Sequence, residues 1–134
     1  MFKKRIKYTD YNGTEREEDF YFNLTKTELT EMEFSSAGGL QNYIQKIIDA
    51  QNGQEIISVT KQLIFKAYGE KSLDGKYFHK SPEISESFSH TPAYDILFME
   101  LATDDKAAAE FVNGIIPKNL DISSSDNVAK LASN

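Results

Sequence analysis

Phe2-Lys3-Lys4-Arg5-Ile6-Lys7-Tyr8-Thr9-Asp10-Tyr11-Asn12-Gly13-Thr14-Glu15-Arg16-Glu17-Glu18-Asp19-Phe20-Tyr21-Phe22-Asn23-Leu24 decides the fold. Apolar and charged residues alternate on both sides of Asn12-Gly13, the pattern of an antiparallel β-hairpin. A plain two-residue turn would set Ile6 opposite Asp19 and Arg5 opposite Phe20, dividing the apolar residues between the two faces. Slipping by one residue, with Asn12-Gly13-Thr14 as the loop, places Phe2, Lys4, Ile6 and Tyr8 against Leu24, Phe22, Phe20 and Glu18, and Lys7 against Asp19. One face then becomes mostly apolar. It must lie on a helical layer, because two strands alone are not stable in water. This register predicts Ile6 and Phe20 on the buried face, Arg5 and Tyr21 on the other, and a cost of about 3 to 5 kcal/mol for Phe20→Ala.

Working outward, Thr25-Lys26-Thr27-Glu28 matches a capping box and predicts a short helix to about residue 34. Ser35-Ser36-Ala37-Gly38-Gly39 breaks it. Leu40, Tyr43, Ile44, Ile47 and Ile48 then recur at spacings of three and four, an amphipathic helix ending near Asn52-Gly53. Ile56, Thr60, Leu63, Ile64 and Ala67 repeat the pattern, with Gly69 expected as the left-handed residue that closes the helix. Residues 71–78 read as a packed loop around an Asp74-Gly75 turn. Ser81-Pro82-Glu83 starts a helix through Phe88, and Thr91-Pro92 starts another with Tyr94, Leu97, Phe98 and Leu101 behind it. Thr103-Asp104-Asp105 caps a last helix carrying Ala107, Ala108, Phe111 and Val112, stopped by Gly114 and Pro117. From Lys118 onward four Ser, three Asn and isolated aliphatics give no period that would bury anything. The expected fold class is therefore α+β: an N-terminal antiparallel β-hairpin packed on a bundle of about five short α-helices. One domain covers residues 1–117 and a flexible polar tail covers residues 118–134.

Composition narrows the function. At 134 residues the chain has room for one domain with a real core. Fifteen Lys plus Arg against 21 Asp plus Glu leave a net charge of −6, the wrong sign for holding a phosphate backbone, so no nucleic acid partner is expected. Without cysteine there is no disulfide framework, thiolate nucleophile or cysteine-based metal site. No apolar run approaches the roughly 20 residues of a membrane span. Polar residues follow Met1-Phe2-Lys3-Lys4-Arg5-Ile6 where a signal peptide would turn apolar, so the expectation is a soluble protein that is not secreted and has no membrane partner.

Site chemistry is sparse. His79 and His90 lie eleven residues apart in separate Ser- and Lys-flanked loops and form no helical ligand pair. Gly38-Gly39 lacks the lysine and spacing of a phosphate loop, and Lys76, Tyr77 and Phe78 stand where a calcium loop after Asp74-Gly75 would need oxygen ligands. Glu17, Glu18 and Asp19 read as a solvated strand edge, and Ser35-Ser36 and Ser123-Ser124-Ser125 lack any activating motif. No catalytic, cofactor-binding or metal-ligating residue is assigned, and no enzyme or cofactor is expected. Aromatic residues are in surplus, 9 Phe and 7 Tyr without Trp. Core packing accounts for most. Tyr77 and Phe78, aromatics in a charged loop, divide between core packing and partner contact and are the candidate partner-binding residues.

Three stretches taken in order resemble the tail assembly chaperones of long-tailed, siphovirus-type phages of Gram-positive bacteria. They are Phe20-Tyr21-Phe22-Asn23-Leu24-Thr25-Lys26-Thr27-Glu28-Leu29, Tyr68-Gly69-Glu70-Lys71-Ser72-Leu73-Asp74-Gly75-Lys76-Tyr77-Phe78, and Ala109-Glu110-Phe111-Val112-Asn113-Gly114-Ile115-Ile116-Pro117, covering about residues 15–117. The resemblance implies a non-enzymatic helper that binds the tape measure protein, keeps it soluble and brings tail tube (major tail) subunits to it. It implies action in the host cell cytoplasm and absence from the mature virion. It also implies a longer frameshifted product, for which residues 118–134 would serve as linker or as the end of the short form; self-association stays open. The other reading of the residues is a small regulatory or ligand-binding α+β domain with its pocket between hairpin and helices.

Overall fold

The computed structural model describes residues 1–34, 39, 42, 45 and 53–117. Most of the amphipathic helix expected from Leu40 to near Gly53, its whole apolar stripe included, and the entire tail expected over residues 118–134 fall outside these residues. Strand β1 (Phe2–Thr9) and β2 (Glu15–Phe22) form the N-terminal antiparallel hairpin. Helix α1 (Lys26–Glu33) follows, then α2 (Gly53–Ala67), a small hairpin of β3 (Tyr68–Lys71) and β4 (Phe78–His79), and helices α3 (Pro82–Ser89), α4 (Pro92–Thr103) and α5 (Asp105–Ile115). The α+β architecture stands as expected, but the sheet has four strands in the order β1-β2-β3-β4. The segment read as a loop over residues 71–78 is the turn of the second hairpin together with parts of its strands.

In the first hairpin the faces are those expected and the partners are not. Phe2 pairs with Phe22, Lys4 with Phe20, Ile6 with Glu18 and Lys7 with Glu17, a shift of two residues from the anticipated pairing. The reason lies in the loop, which runs over residues 10–14 rather than 12–14. The Asp10 carboxylate accepts from the amides of Asn12 and Thr14, both at 2.9 Å, and takes Arg16 Nε at 2.6 Å. Gly13 supplies the positive φ of 84° that the turn requires, while its amide donates to the Asp10 carbonyl. A shift of two preserves the side-chain alternation, so Ile6 and Phe22 remain buried and Arg5 remains exposed. Leu24 lies beyond the strand, where its amide donates to the Ile115 carbonyl at 2.8 Å.

The core sits between this sheet and the helices. Phe22, fully buried, is ringed by Phe2, Tyr68, Phe88 and Phe111 at centroid distances of 6.2, 5.6, 5.9 and 5.3 Å. From the helices, Ile64, Leu97 and Ile115 are equally inaccessible. Helix starts follow local chemistry: Thr25 closes a full capping box with Glu28, and Ser81, Thr91 and Asp104 cap α3, α4 and α5.

Two glycines expected to end helices have other roles. Gly69 belongs to β3, where an added Cβ would stand 2.6 Å from Phe78 Cε2 and 2.9 Å from the His79 carbonyl oxygen. What ends α2 is tertiary: the carbonyls of Phe65, Lys66 and Ala67 accept from Ser85 Oγ, Lys80 Nζ and the Asn23 amide. Gly114 lies inside α5, and a Cβ there would meet the Phe2 ring and come 2.9 Å from Phe2 Cβ. Gly114→Ala should therefore destabilise by about 1 to 2 kcal/mol, overpacking outweighing the roughly 1 kcal/mol gain in helix propensity. A raised urea midpoint for this variant would mean that Phe2 swings away without cost.

Tyr68 stacks on Phe88 at 4.1 Å, and burial pushes its phenol up to about 12. A raised folded-state value gives stability that is complete below the unfolded value near 10 and is lost as pH rises towards about 12. The melting temperature should fall across that window, and Tyr68→Phe, which keeps the stacking, should flatten the fall. An equal fall in both proteins would assign the alkaline transition to other groups.

Candidate partner-binding surfaces

The β3–β4 turn is built by its own side chains. Ser72 donates its amide to the Tyr77 carbonyl at 2.9 Å, and the Gly75 amide donates to the Ser72 carbonyl at 3.0 Å. Gly75 adopts a φ of 76°, as the Asp-Gly signal requires. Asp74 Oδ1 accepts from the Lys76 amide and from Ser72 Oγ, in that order of effect, and both bonds hold the carboxyl below its usual range. A firm turn therefore presents its tip.

The structure separates Tyr77 from Phe78. Tyr77 is 54% exposed, its ring stacked on His79 at 5.8 Å with the Lys76 ammonium 5.6 Å from its centroid. Phe78 is half-buried, filling the space that a Cβ at Gly69 would need, with the Lys80 ammonium 5.8 Å from its ring. Thus Phe78 packs the sheet and Tyr77 faces solvent. Leu73, fully exposed on the same turn, went unnoticed in the sequence because one leucine in a polar loop carries no period. His79 sits in β4 and His90 caps the C-terminus of α3, both exposed. Among the described residues no three His, Asp or Glu side chains gather in a metal-holding group, and no helix is long and apolar enough to cross a membrane. The carboxylates Glu17, Glu18 and Asp19 are taken up in ion pairs with Arg5 and Arg16.

A second surface escaped the sequence altogether. Between α1, the last turn of α2 and the start of α3 lies an open groove of about 550 Å³ with Leu24, Met32, Phe65 and Pro82 as its apolar lining. Lys80 crosses one wall. Its ammonium donates to Glu28 Oε1 and Oε2 at 2.9 and 2.7 Å, to the Lys66 carbonyl at 2.9 Å, and to the Asn23 carbonyl. Burial pulls its pKa down, and the bond to Glu28 only partly restores it. The three stretches that form this groove, residues 24–32, 65–66 and 80–85, lie far apart in the chain, so no local pattern announces it.

Neither the curated proteins nor the solved structures contain a match to the chain. The family model described as phage tail assembly chaperone matches residues 1–132, extending on both sides of the stretches that carry the resemblance. With nearly the whole chain matched, the protein belongs to the phage tail assembly chaperone family.

Proposed function

We propose that the protein binds the tape measure protein of a long-tailed, siphovirus-type phage of a Gram-positive host, keeps it soluble, and helps recruit tail tube subunits to it. The match to the chaperone family over residues 1–132 carries this reading. It acts by stoichiometric binding, without catalysis, in the host cell cytoplasm, and is absent from the finished virion. Its net charge of −6 favours staying dissolved while Leu73, Tyr77, Ile96 and Met99 offer apolar contact area. Of the two candidate aromatics, Tyr77 on its rigid turn is the contact residue, and Phe78 is the support beneath.

Co-expression with a tape measure fragment that is insoluble alone should bring the fragment into the soluble fraction, with more than one chaperone per fragment after co-purification. Moderate salt should weaken the complex little, since apolar contact carries it. Tyr77→Ala should reduce the recovered fragment several-fold without a change in melting temperature, the mark of an exposed anchor. If the folded protein in excess leaves every segment of the tape measure insoluble, the reading is wrong.

A further inference from the structure

Apart from Glu31 and Lys66 at its rim, the polar side chains lining the groove are already engaged with one another or with the backbone. Ser85 Oγ donates to the Phe65 carbonyl at 2.8 Å, and Ser81 Oγ accepts the Ile84 amide at 3.1 Å. Both Glu28 oxygens accept from Lys80, and Oε1 also accepts the Thr25 amide at 2.8 Å. The Lys80 ammonium spends its protons on Glu28 and two backbone carbonyls. A nucleotide, sugar or similar ligand entering here would surrender its water and find few polar partners in return. An apolar occupant loses nothing. The occupant's backbone is constrained by the same fact. An extended peptide would bring unpaired amides and carbonyls into a wall whose terminal helix carbonyls, those of Phe65 and Lys66, are both taken. A helix satisfies its own backbone and offers only side chains.

We infer that this groove receives the apolar face of an amphipathic helix from a partner protein, which, on the function proposed above, is the tape measure protein. Its size suits a stripe of anchors at helical spacings of three and four. Two rim charges, Glu31 on α1 and Lys66 on α2, have no hydrogen bond or ion pair from their side chains among the described residues. They fit a helix carrying a basic residue beside α1 and an acidic residue beside α2, which sets its orientation.

Fluorescently labelled helical peptides tiled along the tape measure protein of the same phage supply the probe, read by anisotropy against the full chain. The binding peptides should share an apolar stripe. Pro82→Asp places a carboxylate in the lining at the first turn of α3, where a negative charge favours the helix, and should weaken binding at least tenfold with the melting temperature kept. Tyr11→Asp, in the exposed β1–β2 loop outside the groove, should leave binding unchanged. Should Pro82→Asp unfold, Lys66→benzoylphenylalanine at the exposed rim decides: a photo-cross-link to the peptide supports the groove. Wild-type affinity in a folded Pro82→Asp protein would overturn the inference and leave the chaperone reading standing, whereas no binding of any tiled peptide by the wild type would overturn both. Cross-linking from position 66 only to residues 35–52 or 118–134, with peptide in excess, would assign the groove to the chain itself and overturn the inference.

Discussion

Phe22→Ala will cost about 3 to 5 kcal/mol, whereas Arg5→Ala will cost only a small fraction of that, although Arg5 makes two ion pairs and sits on the neighbouring strand. The difference follows from burial. Phe22 has no accessible surface and touches four other aromatic rings, so truncation removes apolar burial and leaves a void that the sheet and α5 cannot both collapse to fill. Arg5, with 56% of its side chain accessible, holds Glu17 and Asp19 in water, where screening and side-chain entropy consume most of the attraction. Phe20→Ala should fall between the two, at about 1 to 3 kcal/mol, below the expectation from its pattern. Its ring touches Tyr8 and Phe88, but it stays half-exposed at the margin of the core. Urea unfolding of the three variants gives the order directly. A loss for Arg5→Ala comparable to that for Phe22→Ala would show that the charged face, not the aromatic one, holds the hairpin.

Helix starts were legible because their chemistry is local. Thr25, Ser81, Thr91 and Asp104 each bond to an amide within three residues, and the capping box is complete in four letters. The second hairpin was not legible, because β3 follows α2 without a gap and is held by only two pairs to β2, Tyr21 with Gly69 and Phe22 with Tyr68. Nothing within that stretch alternates long enough to announce a strand. The misread glycines share one cause: glycine marks a place where a side chain does not fit, and sequence cannot say whether backbone conformation or a neighbour excludes it. At Gly75 it is the left-handed backbone; at Gly69 and Gly114 it is the rings of Phe78 and Phe2. Pairing of the first hairpin went astray by two residues because the Asp10 carboxylate organises a longer loop than Asn12-Gly13 suggests. Face assignment survived, since parity alone decides it. Of the candidate contact residues, the adjacency of Tyr77 and Phe78 concealed their opposite fates, and the groove depended on Lys80 reaching back 52 and 57 positions to Glu28 and Asn23.

Lys80→Met should destabilise by about 2 to 4 kcal/mol, and its origin should lie more in carbonyls than in charge. The Lys80 side chain is only 20% accessible, and its pKa lies below the ordinary lysine value because desolvation outweighs the attraction of Glu28. The ion pair therefore does not repay the burial of the charge by itself. What the ammonium supplies besides is a donor for the Asn23 and Lys66 carbonyls, which tie the β2–α1 connection to the end of α2. Methionine fills most of the volume and leaves those acceptors, together with the Glu28 carboxylate, short of a donor. Glu28→Gln offers the decisive background, because glutamine can keep the capping-box bond to the Thr25 amide while removing the charge. If the carbonyls dominate, Lys80→Met will cost nearly as much in the Glu28→Gln protein as in the wild type, with a coupling energy under about 1 kcal/mol. A coupling that accounts for most of the loss would return the stabilisation to the ion pair and leave the end of α2 held chiefly by Ser85 and the Asn23 amide.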